Sequence, residues 1–219
     1  MMDLSINYRK WDRENWVIGS FIVWLFQISA LIGISIGFQD WFISKTPLNL
    51  TIHVALLFWI FPENLRKKLT LFVLLFTGGM LIEMIGVATG IPFGIYSYGE
   101  NMGWKILGVP LLIGCNWAVL VFVTASIINR YFKNNWLKAF LGASLMIILD
   151  LPMEVVAPIF DFWTFPEGAP FINYVSWFAT AFLMHLFVQK KQIVGDFNFS
   201  LQLFLSQLVF FVYLTFFLA

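Results

Sequence analysis

Residues 69–90, LTLFVLLFTGGMLIEMIGVATG, form an apolar run interrupted by one formal charge, Glu83. A helix rises about 1.5 Å per residue and needs about 20 residues to cross the hydrocarbon layer, so this run has the length of a membrane span. A charged side chain at that depth costs about 2.5–3.5 kcal/mol on insertion scales, which makes Glu83 a candidate functional residue. The same hydropathy pattern recurs along the chain. Apolar stretches at residues 16–37, 46–61, 69–90, 106–129, 136–158, 171–189 and 197–218 predict seven spans with brief connections. The expected fold is all-α, a polytopic bundle of about seven transmembrane helices forming a single integral-membrane domain over residues 1–219.

Composition agrees with that reading. The chain is 60% hydrophobic and 19% aromatic but only 11% charged, with a mean hydropathy of +0.85. Soluble domains carry about 25% charged residues. A net charge of +1 gives no general attraction to nucleic acid. The lone cysteine, Cys115, has no partner for an intramolecular disulfide. The polar start of the chain (Asp3, Arg9, Lys10, Asp12, Arg13, Glu14) precedes an apolar run too long for a signal-peptide core, so that run is expected to be the first span. Eleven of the thirteen Lys and Arg residues fall on one side of the bundle: at the N-terminus and around Arg66–Lys68, Arg130–Lys138 and Lys190–Lys191. Lys45 and Lys105 fall opposite. The positive-inside rule then places the N-terminus in the cytoplasm and the C-terminus outside, in a multi-pass protein of the cell membrane.

With that orientation, polar residues from several spans share one depth. Glu83 and Asp150 each lie about 14 residues, or ~21 Å, along outward-running helices. Glu154 stands one turn beyond Asp150, His53 lies in the outer half, and Asn116 is near the midplane. A protonated carboxyl tying helices together would explain any one acid; three at one depth point to a pocket. Asp150 and Glu154 are four residues apart on one helix face, where like charges repel, so one of the pair is expected to keep its proton and act as an acid. Pro152 between them removes a backbone N–H and frees the carbonyl of Ile148, predicting a kink. Gly79, Gly86 and Gly90 share the Glu83 face; they leave room either for a neighbouring helix or for a flat ligand. His53 and His185 lie at different depths, which argues against a bis-histidine haem, and the last span has no lysine for a retinal Schiff base. The sequence carries neither a metal-ligand cluster nor a phosphate-cradling loop, so no cofactor is expected.

Two outer loops complete the pattern: Thr89-Gly90-Ile91-Pro92-Phe93-Gly94-Ile95-Tyr96-Ser97-Tyr98, and the stretch from Asp161-Phe162-Trp163 through Pro170 to Asn173-Tyr174 and Trp177. Together with Glu83, Gly108-Val109-Pro110-Leu111, Asn116-Trp117, Asp150-Leu151-Pro152-Met153-Glu154 and Ala157, they resemble the membrane-bound carotenoid hydratases of the γ-carotene and bisanhydrobacterioruberin type. The Pro-Phe-Gly-x-Tyr-x-Tyr loop is the most specific element; Val155 stands where that family's pattern leads us to expect proline after the second acid. The resemblance implies addition of water across the terminal C1–C2 double bond of a linear or monocyclic carotenoid ψ-end, giving a tertiary alcohol, with membrane lipid as surroundings and water as co-substrate. An isolated alkene needs a well-aimed acid, because protonation at C2 creates a tertiary cation at C1. A second carboxylate and aromatic faces can stabilise that cation. Asp150 is the expected proton donor, with Glu83 or Glu154 activating water. His53, Phe93, Tyr96, Tyr98, Asn116, Trp117, Asp161, Trp163, Asn173, Tyr174 and Trp177 are the expected substrate-binding residues. A carotenoid cyclase would start with the same protonation but end as an isomerisation. A proton-coupled transporter would also carry intramembrane acids, but inverted repeats are lacking and the polar residues occupy one half of the bilayer.

Overall fold

The computed structural model describes residues 4–218, with side chains described from Glu14 onward. Eight α-helices follow one another: α1 (Leu4–Ser35), α2 (Gln39–Ile43), α3 (Thr46–Ile60), α4 (Leu65–Thr89), α5 (Leu111–Asn129), α6 (Asn135–Val156), α7 (Phe171–Lys190) and α8 (Phe197–Leu218). Among the described residues they make seven segments long and apolar enough to cross a membrane, so the protein is an all-α, seven-span membrane bundle. The side chains of Arg9, Lys10 and Arg13, which contribute to the expected orientation, lie outside the described residues.

Local chemistry shifts several span boundaries from the expected ones. The second span, expected at 46–61, is built from two helices, and the whole segment runs Gln39–Ile60. The third starts at Leu65 rather than Leu69, because Asn64 caps it: its side-chain oxygen accepts the backbone N–H groups of Arg66 (3.0 Å) and Lys67 (3.4 Å). Lys68 therefore sits in the first turn of α4 rather than in a loop. Its buried ammonium donates to the carbonyls of Phe58 (2.6 Å) and Phe61 (2.8 Å), two acceptors left over at the end of α3. The fourth span starts at Leu111 rather than 106, because Leu107 and Gly108 turn the chain with positive φ (50° and 82°). That turn closes a small hairpin of β2 (Lys105–Ile106) on β3 (Val109–Pro110). Pro152 lies inside α6, which runs unbroken to Val156.

At the centre of the bundle is α5, buried from Asn116 to Ile128 and packed against α3, α4, α6, α7 and α8. A helix that is apolar all round belongs inside. Glycines set its approach to α4. A Cβ at Gly79 would come within 2.8 Å of the Trp117 side chain, and one at Gly114 within 2.6 Å of Met80. On the outer face the two long loops pair through β1 (Ser97–Tyr98) and β4 (Trp163–Thr164), antiparallel, with Tyr98 opposite Trp163. The Gly99 N–H donates to the Phe162 carbonyl and the Asn101 amide to the Phe160 carbonyl, extending the join.

Candidate active site

Glu83 is buried on α4 and receives three hydrogen bonds. Tyr96 Oη donates to Oε2 at 2.5 Å, Tyr98 Oη to Oε2 at 2.8 Å and Trp117 Nε1 to Oε1 at 2.9 Å. Hydrogen bonds to a carboxylate are the short, strong kind. Burial, and after it the Glu83 charge, pushes both loop phenols well above the ordinary tyrosine range, so they remain donors throughout the physiological range. The glycines beside Glu83 admit the protein's own aromatic rings rather than leaving open space. Gly79 makes way for Trp117, and a Cβ at Gly86 would meet Tyr96 Oη at 2.7 Å and Phe93 at 2.8 Å. Trp117 stacks in turn on Trp177, with centroids 3.9 Å apart and planes 19° from parallel.

Glu154, on α6, is held from the other side. Trp163 Nε1 donates to Oε2 (2.9 Å) and Asn173 Nδ2 to Oε1 (2.7 Å). Asp150, one turn earlier on the same face, is buried too, but neither of its oxygens has a partner among the described residues. It feels the charges of both Glu154 and Glu83, and Tyr174 feels both Glu154 and Asp150. The three acids thus converge on one region, yet they are furnished differently: two accept donors on both oxygens, one is bare.

Beside them lies a cavity of about 510 Å³ with a largely apolar wall. Its lining includes Leu25, Trp41 and Leu48, apolar side chains of α1, α2 and α3 that are exposed on the outside of the bundle. Its inner wall includes His53, Asn116, Met153, Trp163 and Gln207. None of the three acids lines it directly. Each is reached through a neighbour: Asn116 precedes Trp117, the donor to Glu83; Trp163 is the donor to Glu154; Met153 shares a helix face with Asp150.

The expected substrate-binding residues therefore divide into two groups. His53, Asn116 and Trp163 line the cavity. Tyr96, Tyr98, Trp117 and Asn173 hold the carboxylates, and Phe93 and Trp177 pack behind them. Tyr174 is half-buried near Glu154. Asp161 lies apart: its Oδ2 accepts the Glu100 N–H at 2.8 Å in the exposed outer loop. Gln207, whose Nε2 lies 3.2 Å from His53 Nδ1, and Gln27, buried on α1, were passed over in the sequence. An amide in the middle of an apolar span was the available signal.

A family model described as carotenoid biosynthesis protein matches residues 46–219, a stretch that contains all three acids and both outer loops. The bisanhydrobacterioruberin hydratase of Haloarcula japonica is 26% identical over 141 residues, covering 58% of this chain and 46% of that protein. The chain thus aligns with less than half of that relative's length. No solved structure gives a significant match. With four-fifths of its length, acids and loops included, under one family model, the chain belongs to the carotenoid biosynthesis protein family.

Proposed function

We propose that this protein is a hydratase that adds water across the terminal C1–C2 double bond of a carotenoid ψ-end. The observation that carries the reading is the contrast among the acids beside an apolar cavity: Asp150 bare, Glu83 and Glu154 held by donors on both oxygens. The hydratase from Haloarcula japonica supports the reaction class. The ψ-end enters from lipid between α1 and α3 and reaches the inner wall near Met153. Asp150 gives its proton to C2, and the tertiary cation forms at C1. Glu83 and Glu154, fixed in place by five side-chain donors, present negative charge that needs no reorganisation when the cation appears, and the tryptophan and tyrosine rings add π-faces. Water closes the reaction by forming the C1–O bond and giving up a proton. The N-terminus lies in the cytoplasm of a cell-membrane protein, so that the site opens in the outer half of the bilayer.

Pigment analysis in a bacterium supplying γ-carotene or another ψ-ended carotenoid tests this reading. The product should be heavier than its substrate by one water, with its hydroxyl labelled from H₂¹⁸O and unlabelled from ¹⁸O₂. A product of unchanged mass would identify a cyclase or isomerase, and label from ¹⁸O₂ an oxygenase.

A further inference from the structure

None of the three acids lines the cavity, and Glu83 and Glu154 already accept from five side-chain donors, so the attacking water needs a holder on the cavity wall itself. His53 does line it. This imidazole is 1% exposed on α3, its Nδ1 lies 3.2 Å from Gln207 Nε2 on α8, and its Nε2 has no partner among the described residues. With the Gln207 amide oriented this way its nitrogen donates to Nδ1, which assigns the ring proton to Nε2. A buried N–H without an acceptor is costly, so a polar partner is expected in the cavity beside it. Lys45, Thr46, Asn49 and Asn116 also line the cavity, and Asn49 Oδ1, one turn before His53 on α3, likewise has no partner among the described residues, so a water in the cavity has polar groups besides His53 to meet.

We propose that His53, its tautomer locked by Gln207, holds the attacking water: Nε2–H donates to the water oxygen and fixes it opposite C1, and the same bond then holds the new tertiary hydroxyl. This rests on the hydratase reading and divides its roles further. Asp150 delivers its proton to C2 and becomes a carboxylate; the remaining lone pair of the held water forms the C1–O bond; the resulting oxonium returns one proton to Asp150. One alkene and one water give one alcohol, and the enzyme ends as it began. His53 carries no charge at any step. It touches the nucleophile, so it is a catalytic residue, and Gln207 is a positioning residue.

Reaction in D₂O separates the two steps. A cation that is not captured loses a proton again, so the recovered carotenoid carries deuterium although no alcohol has formed. The purified full-length protein in proteoliposomes, given a ψ-ended carotenoid in D₂O, is assayed for alcohol and for deuterium in the unreacted pigment. His53→Leu should lower the alcohol roughly tenfold to a hundredfold, the scale of a misplaced reactant, while deuterium in recovered substrate persists or rises. His53→Gln, which keeps an N–H donor, should recover part of the alcohol. Gln207→Glu, which accepts from Nδ1–H and so removes the proton from Nε2, should partition like His53→Leu. Alcohol at the wild-type level in His53→Leu would overturn the inference, and at that level in Gln207→Glu it would overturn the tautomer lock. So would loss of deuterium and alcohol together in folded His53→Gln, which would move His53 to the protonation step. Wild-type alcohol lacking deuterium at C2 would overturn the hydratase chemistry itself, a failure distinct from that of His53.

Discussion

Gly86→Ala tests the architecture around Glu83 without touching a polar group. The added Cβ would stand 2.7 Å from Tyr96 Oη and 2.8 Å from Phe93, and both rings are buried, so one of them must move. Overpacking of this size costs about 1–3 kcal/mol. If Tyr96 yields, Glu83 also loses one of its three donors, worth about 1.5–3 kcal/mol for a bond to a charged group. Together that is about 2.5–6 kcal/mol, against about 1.5–3 for Tyr96→Phe alone. The two changes share one contact, so they should not add. In the double variant the hydroxyl that the new methyl strikes is already gone, and the contacts with Phe93 at 2.8 Å and with the ring edge at position 96 at 3.3 Å remain. Thermal unfolding of the detergent-purified protein, with carotenoid conversion measured in parallel, gives the cycle. A coupling within the 0.5–3 kcal/mol typical of contacting residues is expected, with the double variant less damaged than the sum. Strict additivity, or a Gly86→Ala protein as stable and active as wild type, would refute the placement of Tyr96 against Glu83.

Three further outcomes follow from particular contacts. Lys68→Met strips the buried carbonyl of Phe61 and the part-buried carbonyl of Phe58 of their donor, and should destabilise the protein by about 1–3 kcal/mol, read as a lowered unfolding temperature; an unchanged transition would remove Lys68 from the end of α3. Reporter fusions at Tyr98 and Glu167 should both read outside the cytoplasm, and a cytoplasmic signal at either would reverse the orientation. Trp163→Phe keeps the ring in the cavity but leaves Glu154 with Asn173 alone, so conversion should fall roughly tenfold with little change in substrate retention; an equal loss of binding would make Trp163 a packing residue instead.

Much of the bundle was legible because lipid imposes a simple rule on composition. Charges are so rare in the apolar runs that Glu83, Asp150 and Glu154 stand out unaided, and the seven spans follow from length. Boundaries were less legible where polar groups are satisfied by contacts rather than by water. Lys68 reads as a loop cation in sequence, yet it is buried against the end of α3. Residues 106–110 read as the start of a span, yet turn chemistry at Leu107-Gly108 makes them a hairpin. The glycines near Glu83 left two readings open, and only packing against Trp117, Tyr96 and Phe93 decides between them. Pairing of Tyr98 with Trp163 across 65 residues has no local signature. Gln207 was overlooked for a different reason: a neutral amide in an apolar helix attracts less notice than a charge, although burying it also requires a partner.

The most direct test of the acid mechanism is Asp150→Asn assayed in D₂O. The amide keeps the shape of the side chain but cannot deliver the proton. The variant should insert and fold, form no detectable tertiary alcohol, and leave the recovered carotenoid free of deuterium. Wild-type hydration, or deuterium still entering the recovered carotenoid, would contradict the assignment of Asp150 as the acid and move that role to Glu83 or Glu154.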